Sequence, residues 1–189
     1  MKVFDLTYIR YPDSLTGVIF ASASLLPLFV IFSLVPTALF ARKLSPLVLL
    51  LGVVFSTAIN EILKRLFRQP RPIDSHRDGF GMPSDHSQFC AFWTAYFLVI
   101  LASNPKIHKS VVIAATGLNA GVSALVMTSR VFLGVHSVAQ VLVGAGIGTI
   151  LGFLWGRLSE TLFAHKKYIK TEKYLTSTLN QLVFIDKGQ

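Results

Sequence analysis

Charged residues leave long stretches of this chain untouched. Five blocks, at 17–41, 44–60, 87–105, 110–129 and 137–156, contain no Asp, Glu, Lys or Arg. Each has about the length, roughly 17–25 residues, that a helix needs to cross a hydrocarbon core. Helices in soluble cores are usually shorter and are interrupted by a polar face. The pattern predicts an all-α fold, a polytopic transmembrane helix bundle of about five spans. The first block begins too far into the chain and runs too long for a cleaved leader. The residues before it mix Lys2 and Arg10 with Asp5 and Asp13, unlike a basic leader, so the block is expected to stay as an anchor. The expected organisation is an N-terminal arm (1–16), a transmembrane domain (17–156) and a basic cytosolic tail (157–189).

Five spans fix the side of every connection. The arm, the 61–86 segment and the 130–136 segment fall on one face. Arg42–Lys43, the 106–109 turn and the tail fall on the other. The second face carries ten of the eighteen Lys and Arg residues. Positive-inside counting therefore places that face in the cytosol and the 61–86 segment across the membrane. The net charge of +9 thus divides between an orientation signal and a group of cations near 61–86. Nucleic acid is a poor partner for a chain that is 52% hydrophobic. The lipid bilayer is the partner the composition implies. Cys90 is the only cysteine, so no disulfide forms within the chain. Gly144, Gly148 and Gly152 recur every four residues in the last block, the spacing of a close helix–helix contact.

Three polar clusters stand at span ends, all on one face. Lys64 and Arg68 precede Arg71 at helical spacing, and Pro70 and Pro72 then stop the helix. Gly81-Met82-Pro83-Ser84-Asp85-His86-Ser87 leads into the third block. Free amides at a helix start favour an anion, Ser84 adds a hydroxyl, and His86 stands where a proton can be handed to a departing oxygen. Ser129-Arg130 closes the fourth block, and His136 opens the fifth. Each cluster alone also reads as an interfacial flank or a helix cap.

The ordered set Lys-x6-Arg-Pro, Pro-Ser-x-His and Ser-Arg-x5-His resembles the type 2 phosphatidic acid phosphatase superfamily over about residues 44–156. That resemblance implies that His136 is the nucleophile and His86 the general acid/base. Lys64, Arg71, Ser84 and Arg130 would hold the phosphoryl oxygens. Phosphoryl transfer rests on positioning and on charge around the equatorial oxygens, which three cations and a row of amides supply. A histidine can attack phosphorus directly and split hydrolysis into two steps. The positive end of the fifth helix favours neutral His136, the nucleophilic form. No metal or other cofactor is expected.

Two positions depart from the broad pattern. Asp85 replaces a Gly before His86, and Gln140 replaces an Asp four residues after His136. Gln140 shares a helical face with His136 and can orient its ring through the amide oxygen, without the charge of a carboxylate. An Asp at 140 is expected to be tolerated. The segments 80–89 and 136–141 are similar to the dolichyldiphosphatase branch of the superfamily, which has Gln at that position. This narrower resemblance implies release of the terminal phosphate of dolichyl diphosphate at the lumenal face of the endoplasmic reticulum, recycling the lipid carrier of protein N-glycosylation. The alternatives are a phosphatase for phosphatidate or a short prenyl diphosphate, and a silent relative that binds polyprenyl phosphates.

Overall fold

The computed structural model describes residues 2–4 and 9–185. The described chain is a helical bundle with one small hairpin. In order it forms β1 (Lys2–Phe4), β2 (Ile9–Tyr11), α1 (Leu15–Ala23), α2 (Leu26–Ala41), α3 (Ser45–Phe67), α4 (Asp85–Ala102), α5 (Lys109–Phe132), α6 (Val138–Ala164) and α7 (Lys166–Ile185). The all-α expectation holds except for the N-terminal arm, where β1 and β2 pair antiparallel with Val3 opposite Arg10.

The first apolar block forms two helices rather than one. Pro27 has no amide hydrogen, and the Leu28 amide turns back to the Leu25 carbonyl at 3.0 Å. The chain therefore steps at Ser24–Leu25, and the Ser24 carbonyl is freed from the helical ladder. A second stop differs from its sequence reading. Arg68 takes a left-handed conformation (φ 48°) and caps α3, its amide bonding the Lys64 carbonyl at 3.0 Å. Lys64, Arg68 and Arg71 consequently do not share a helix face. The proline-rich sequence that follows ends the helix one turn sooner than spacing suggested.

Among the described residues, four segments are long and apolar enough to cross a membrane by length and composition: Leu15–Ala41, Ser45–Phe67, Lys109–Phe132 and Val138–Ala164. The protein is a multi-pass membrane protein on that ground. The fifth expected span, α4, differs in a way its position explains. Its 18 residues open with Asp85-His86-Ser87-Gln88, which lowers its hydropathy. It packs among α3, α5 and α6, so neighbouring helices rather than lipid surround its polar residues.

The closest seam is α4 on α6. Gly144, Gly148 and Gly152 of α6 face α4, and a Cβ at Gly148 or Gly152 would overlap the carbonyl oxygen of Gln88 or Phe92. Such an approach is what a small-residue face permits in a bundle without a strong hydrophobic driving force between helices. Side-chain bonds add to it. Thr94 of α4 lies 2.9 Å from Ser123 and donates to Asn119 of α5 at 3.2 Å.

The two ends of the bundle are finished differently. At one end, Ile9 and Tyr11 of the hairpin pack on Ala21, Leu133 and Val135. At the other, the tail forms α7 and docks on the α2–α3 turn. The Leu44 amide donates to Glu172 Oε1 at 3.0 Å, and Thr176 Oγ1 donates to the Arg42 carbonyl at 3.0 Å.

Replacing Gly148 with Leu places a branched side chain against the α4 backbone. The expected cost is about 1–3 kcal/mol, read as a lower thermal unfolding midpoint in detergent micelles.

Candidate active site

Four separated stretches of sequence converge at the hairpin end of the bundle: the exit of α3, the start of α4, the end of α5 and the start of α6. The starts of α4 and α6 are held side by side by backbone. The Ser84 amide donates to the Gln140 carbonyl at 3.0 Å, and Gly144 leaves room for the Ser84 carbonyl. Their N-termini differ in one respect. In α6 the Ser137 hydroxyl takes the Gln140 amide and the Gln140 side chain takes the Ser137 amide, a complete capping box. In α4, Ser84 occupies the cap position but makes no capping bond, and its hydroxyl instead accepts from Ser87 Oγ at 3.1 Å. Only α4 keeps its first-turn amides without a side-chain cap, which suits an anion.

His136 is buried beside this start. Its Nδ1 lies 2.9 Å from the Gly81 carbonyl and 3.2 Å from Gln140 Oε1. Both partners are acceptors, so Nδ1 carries the proton in the neutral ring. Nε2 is then the nitrogen with the free lone pair, and Arg71 donates to it at 3.1 Å. The same Arg71 nitrogen bonds the Val135 carbonyl at 2.9 Å. Burial, followed by the charges of Arg71 and Arg130, pushes the His136 imidazole down to about 3, against the pull of its two acceptors. The ring is neutral throughout the physiological range. Burial and the Arg77 charge likewise lower Arg71 from its ordinary value.

Gln140 holds this arrangement. Its Nε2 donates to the Pro70 carbonyl at 2.7 Å and to Gln69 Oε1 at 3.2 Å. Because the Pro70 carbonyl can only accept, the amide nitrogen must face it, and Oε1 is thereby directed at His136. Gln140, expected to orient the ring, lies against His136 Nδ1. Tolerance of Asp at 140, expected from the sequence, runs against this geometry: a carboxylate has no hydrogen to give Pro70 or Gln69.

Arg130 is fully buried at the end of α5, and its Nε, Nη1 and Nη2 have no hydrogen-bond partner among the described residues. Its carbonyl accepts the amides of Val135 and His136, both at 3.2 Å, which ties it to the ring. A buried guanidinium with unpaired donors is costly unless an acceptor arrives. An oxyanion with several oxygens fits it.

The remaining expected residues make their hydrogen bonds outside that cluster. Lys64 Nζ is 2.8 Å from Glu61 Oε1, an ion pair with an exposed partner. His86 Nε2 donates to the freed Ser24 carbonyl at 3.2 Å, leaving Nδ1 as the nitrogen available for proton transfer. Asp85 lines a crevice with Ser56 and Thr57 of α3. Four contributors were missed by sequence reasoning: Gly81, Gln69 and Pro70, which act through backbone or amide groups, and Ser24, whose carbonyl is exposed by the helix step. The Pro27 within an apolar block was the one available signal for the last.

Set beside known proteins, this arrangement has a family. The PAP2 superfamily model matches residues 45–163, and the chain belongs to that superfamily of lipid phosphatases. Among similar proteins, a dolichyldiphosphatase of Saccharomyces cerevisiae is 34% identical over 163 residues, 80% of this chain and 68% of that protein. Lipid phosphate phosphatase gamma of Arabidopsis thaliana is 36% identical over 168 residues, 82% and 72% of the two chains. The crystal structure of a PAP2-type phosphatidylglycerolphosphate phosphatase from Bacillus subtilis superposes with a TM-score of 0.64 at 26% identity, covering 81% of this chain and 80% of that one.

Two outcomes follow from the site. Gln140→Asp leaves the Pro70 carbonyl unpaired, at about 1–3 kcal/mol, and is expected to lower kcat by roughly tenfold or more in a phosphate-release assay. Since His136 takes up a proton only near pH 3, its ionisation contributes no acid limb to kcat/KM above pH ~5. Profiles of wild type and Gln140→Asp, measured in parallel, check this.

Proposed function

We propose that this protein is a metal-independent lipid-diphosphate phosphatase, acting on dolichyl diphosphate through a phosphohistidine at His136, in the endoplasmic reticulum membrane with its site toward the lumen. The observation that carries the chemistry is the His136 ring: Nδ1 is fixed by two acceptors, and Nε2 points at the guanidinium of Arg71. Several relatives that bear the name dolichyldiphosphatase, including a human one at 32% identity over 163 residues, support the substrate. The lysine-rich side of the chain supports the orientation.

The reaction has two halves. The terminal phosphoryl group seats on the α4 amides and Ser84, between Arg130, Arg71 and Lys64. Arg71 turns from Nε2 to a phosphoryl oxygen, which releases the lone pair. Nε2 then bonds phosphorus as the bond to the bridging oxygen breaks, and that electron pair leaves with dolichyl phosphate. His86, which carries a proton on Nδ1 as well when the anionic substrate is bound, passes that proton toward the departing oxygen while its Nε2–H stays on the Ser24 carbonyl. The imidazolium is stabilised by Gly81 and Gln140 through Nδ1–H. In the second half a water attacks phosphorus and gives a proton to His86. The P–N bond breaks, its pair returns to Nε2, and inorganic phosphate departs. A phosphate monoester leaves more readily than an alkoxide, so a neutral Gln in place of a carboxylate at 140 suffices for this substrate.

A second reading keeps the same residues and changes the lipid. The Arabidopsis relative is named for lipid phosphates in general, and the Bacillus subtilis enzyme for phosphatidylglycerolphosphate. Purified protein in micelles, given dolichyl diphosphate and phosphatidate separately, separates the two. Release of phosphate from the diphosphate is expected to exceed that from phosphatidate and to persist in chelator; preference for phosphatidate would overturn the substrate assignment. His136→Ala is expected to lower turnover by roughly a thousandfold and to abolish acid-labile labelling of the protein by radioactive substrate. Near-normal activity of that variant would rule out the covalent mechanism.

A further inference from the structure

The loop between the first two clusters carries a cation that neither motif includes. Residues 70–80 form a closed loop: Pro70 bridges Phe80, and the Gly81 amide bonds the Gln69 carbonyl at 2.8 Å. Both stems of the loop touch His136, one through Arg71 and the other through the Gly81 carbonyl. Its far side is pinned over the same spot. Arg71 Nε donates to the Asp78 carbonyl at 3.3 Å, so the residue after Arg77 rests on the side chain that holds the nucleophile ring. His76 Nε2 accepts the Arg10 amide of β2 at 3.3 Å, and that strand packs on Leu133 and Val135, just before His136. The Ser75 hydroxyl accepts the Arg77 amide at 3.3 Å and fixes the turn. Arg77 is half-buried in this loop. Its charge lies within electrostatic reach of Arg71, Arg130 and His86.

We propose that Arg77 binds the second, lipid-side phosphate of a diphosphate substrate and so determines preference for diphosphates over monophosphates. This assignment rests on the reading of the site as a diphosphatase. The chemistry requires some such group. Arg71, Arg130, Lys64 and the α4 amides serve the phosphoryl group being transferred. A diphosphate brings a further anionic phosphate, which becomes the leaving group and gains charge as the bridging bond breaks. A guanidinium within electrostatic reach of both Arg71 and Arg130 can meet that phosphate beside them. Arg also presents the planar fork that suits phosphate oxygens.

Farnesyl diphosphate and farnesyl monophosphate, which share one chain and differ by one phosphate, are the probes. For wild type, Arg77→Ala, Arg77→Gln and Arg77→Lys in micelles, the readout is the ratio of kcat/KM on the two compounds. The Ala and Gln variants are expected to lose at least tenfold in that ratio, and Lys, which keeps the charge, to retain most of it. Inorganic pyrophosphate is expected to inhibit the Ala and Gln variants less well than wild type, with inhibition by orthophosphate changed less. Equal losses on both substrates would mark Arg77 as a structural clamp and overturn the proposal, as would an unchanged ratio. A wild type that prefers the monophosphate would instead overturn the diphosphatase reading. Should Ala and Gln variants fail to fold, a Lys variant that falls equally on both compounds also overturns the assignment.

Discussion

The buried amide of Gln140 joins pieces of chain that are far apart in sequence. Its carbonyl receives the Ser84 amide and its side-chain oxygen faces His136, while its side-chain nitrogen reaches Pro70 and Gln69. Gly81 packs against that side chain so closely that a Cβ there would collide with it. A group buried this deeply tolerates no vacancy among its partners, since an unpaired amide in a dry site costs as much as a lost hydrogen bond or more. Satisfying one side chain therefore fixes the exit of α3, the start of α4 and the ring on α6 together. A carboxylate here would supply more charge to the ring but fewer hydrogens to the loops. The protein has taken geometry over charge.

That arrangement is supported from below by the α4–α6 seam. Glycines on α6 let the two backbones touch, and the contact continues upward to Gly144 against Ser84. The helix starts are thus aligned by the same packing that builds the bundle, rather than by a separate device at the surface. The open start of α4 and the capped start of α6 then divide the work. One offers amides to an anion, and the other holds a ring in place. Arg130, buried with donors that no described residue takes, is the cation this packing leaves for an oxyanion.

The hairpin and the 70–80 loop turn an open-ended bundle into a covered site. Ile9 and Tyr11 sit on Leu133 and Val135, and Arg10 reaches His76. The N-terminal arm, though short and without a recognised motif, is thereby joined to the segment that leads into His136. At the opposite end, α7 ties the tail to the α2–α3 turn through Glu172 and Thr176. The lysines that bias orientation stand on that side.

The sequence by itself determined the class of fold and the end of the bundle at which each loop emerges. Runs without charge, glycines four apart and ordered Lys, Arg, Ser and His clusters are local properties, and the bilayer and phosphoryl chemistry make them legible. Tertiary structure alone decided which His136 nitrogen is free, because acceptors from 55 residues upstream and four downstream set the tautomer. It also decided that Arg68 leaves the helix and that α4 is sheltered by its neighbours. His86 meets a carbonyl freed by a step in another helix, and Arg77 comes within electrostatic reach of Arg71 and Arg130, for the same reason. These depend on backbone groups and on loops closing over distance, and a backbone carbonyl leaves no mark in a residue pattern.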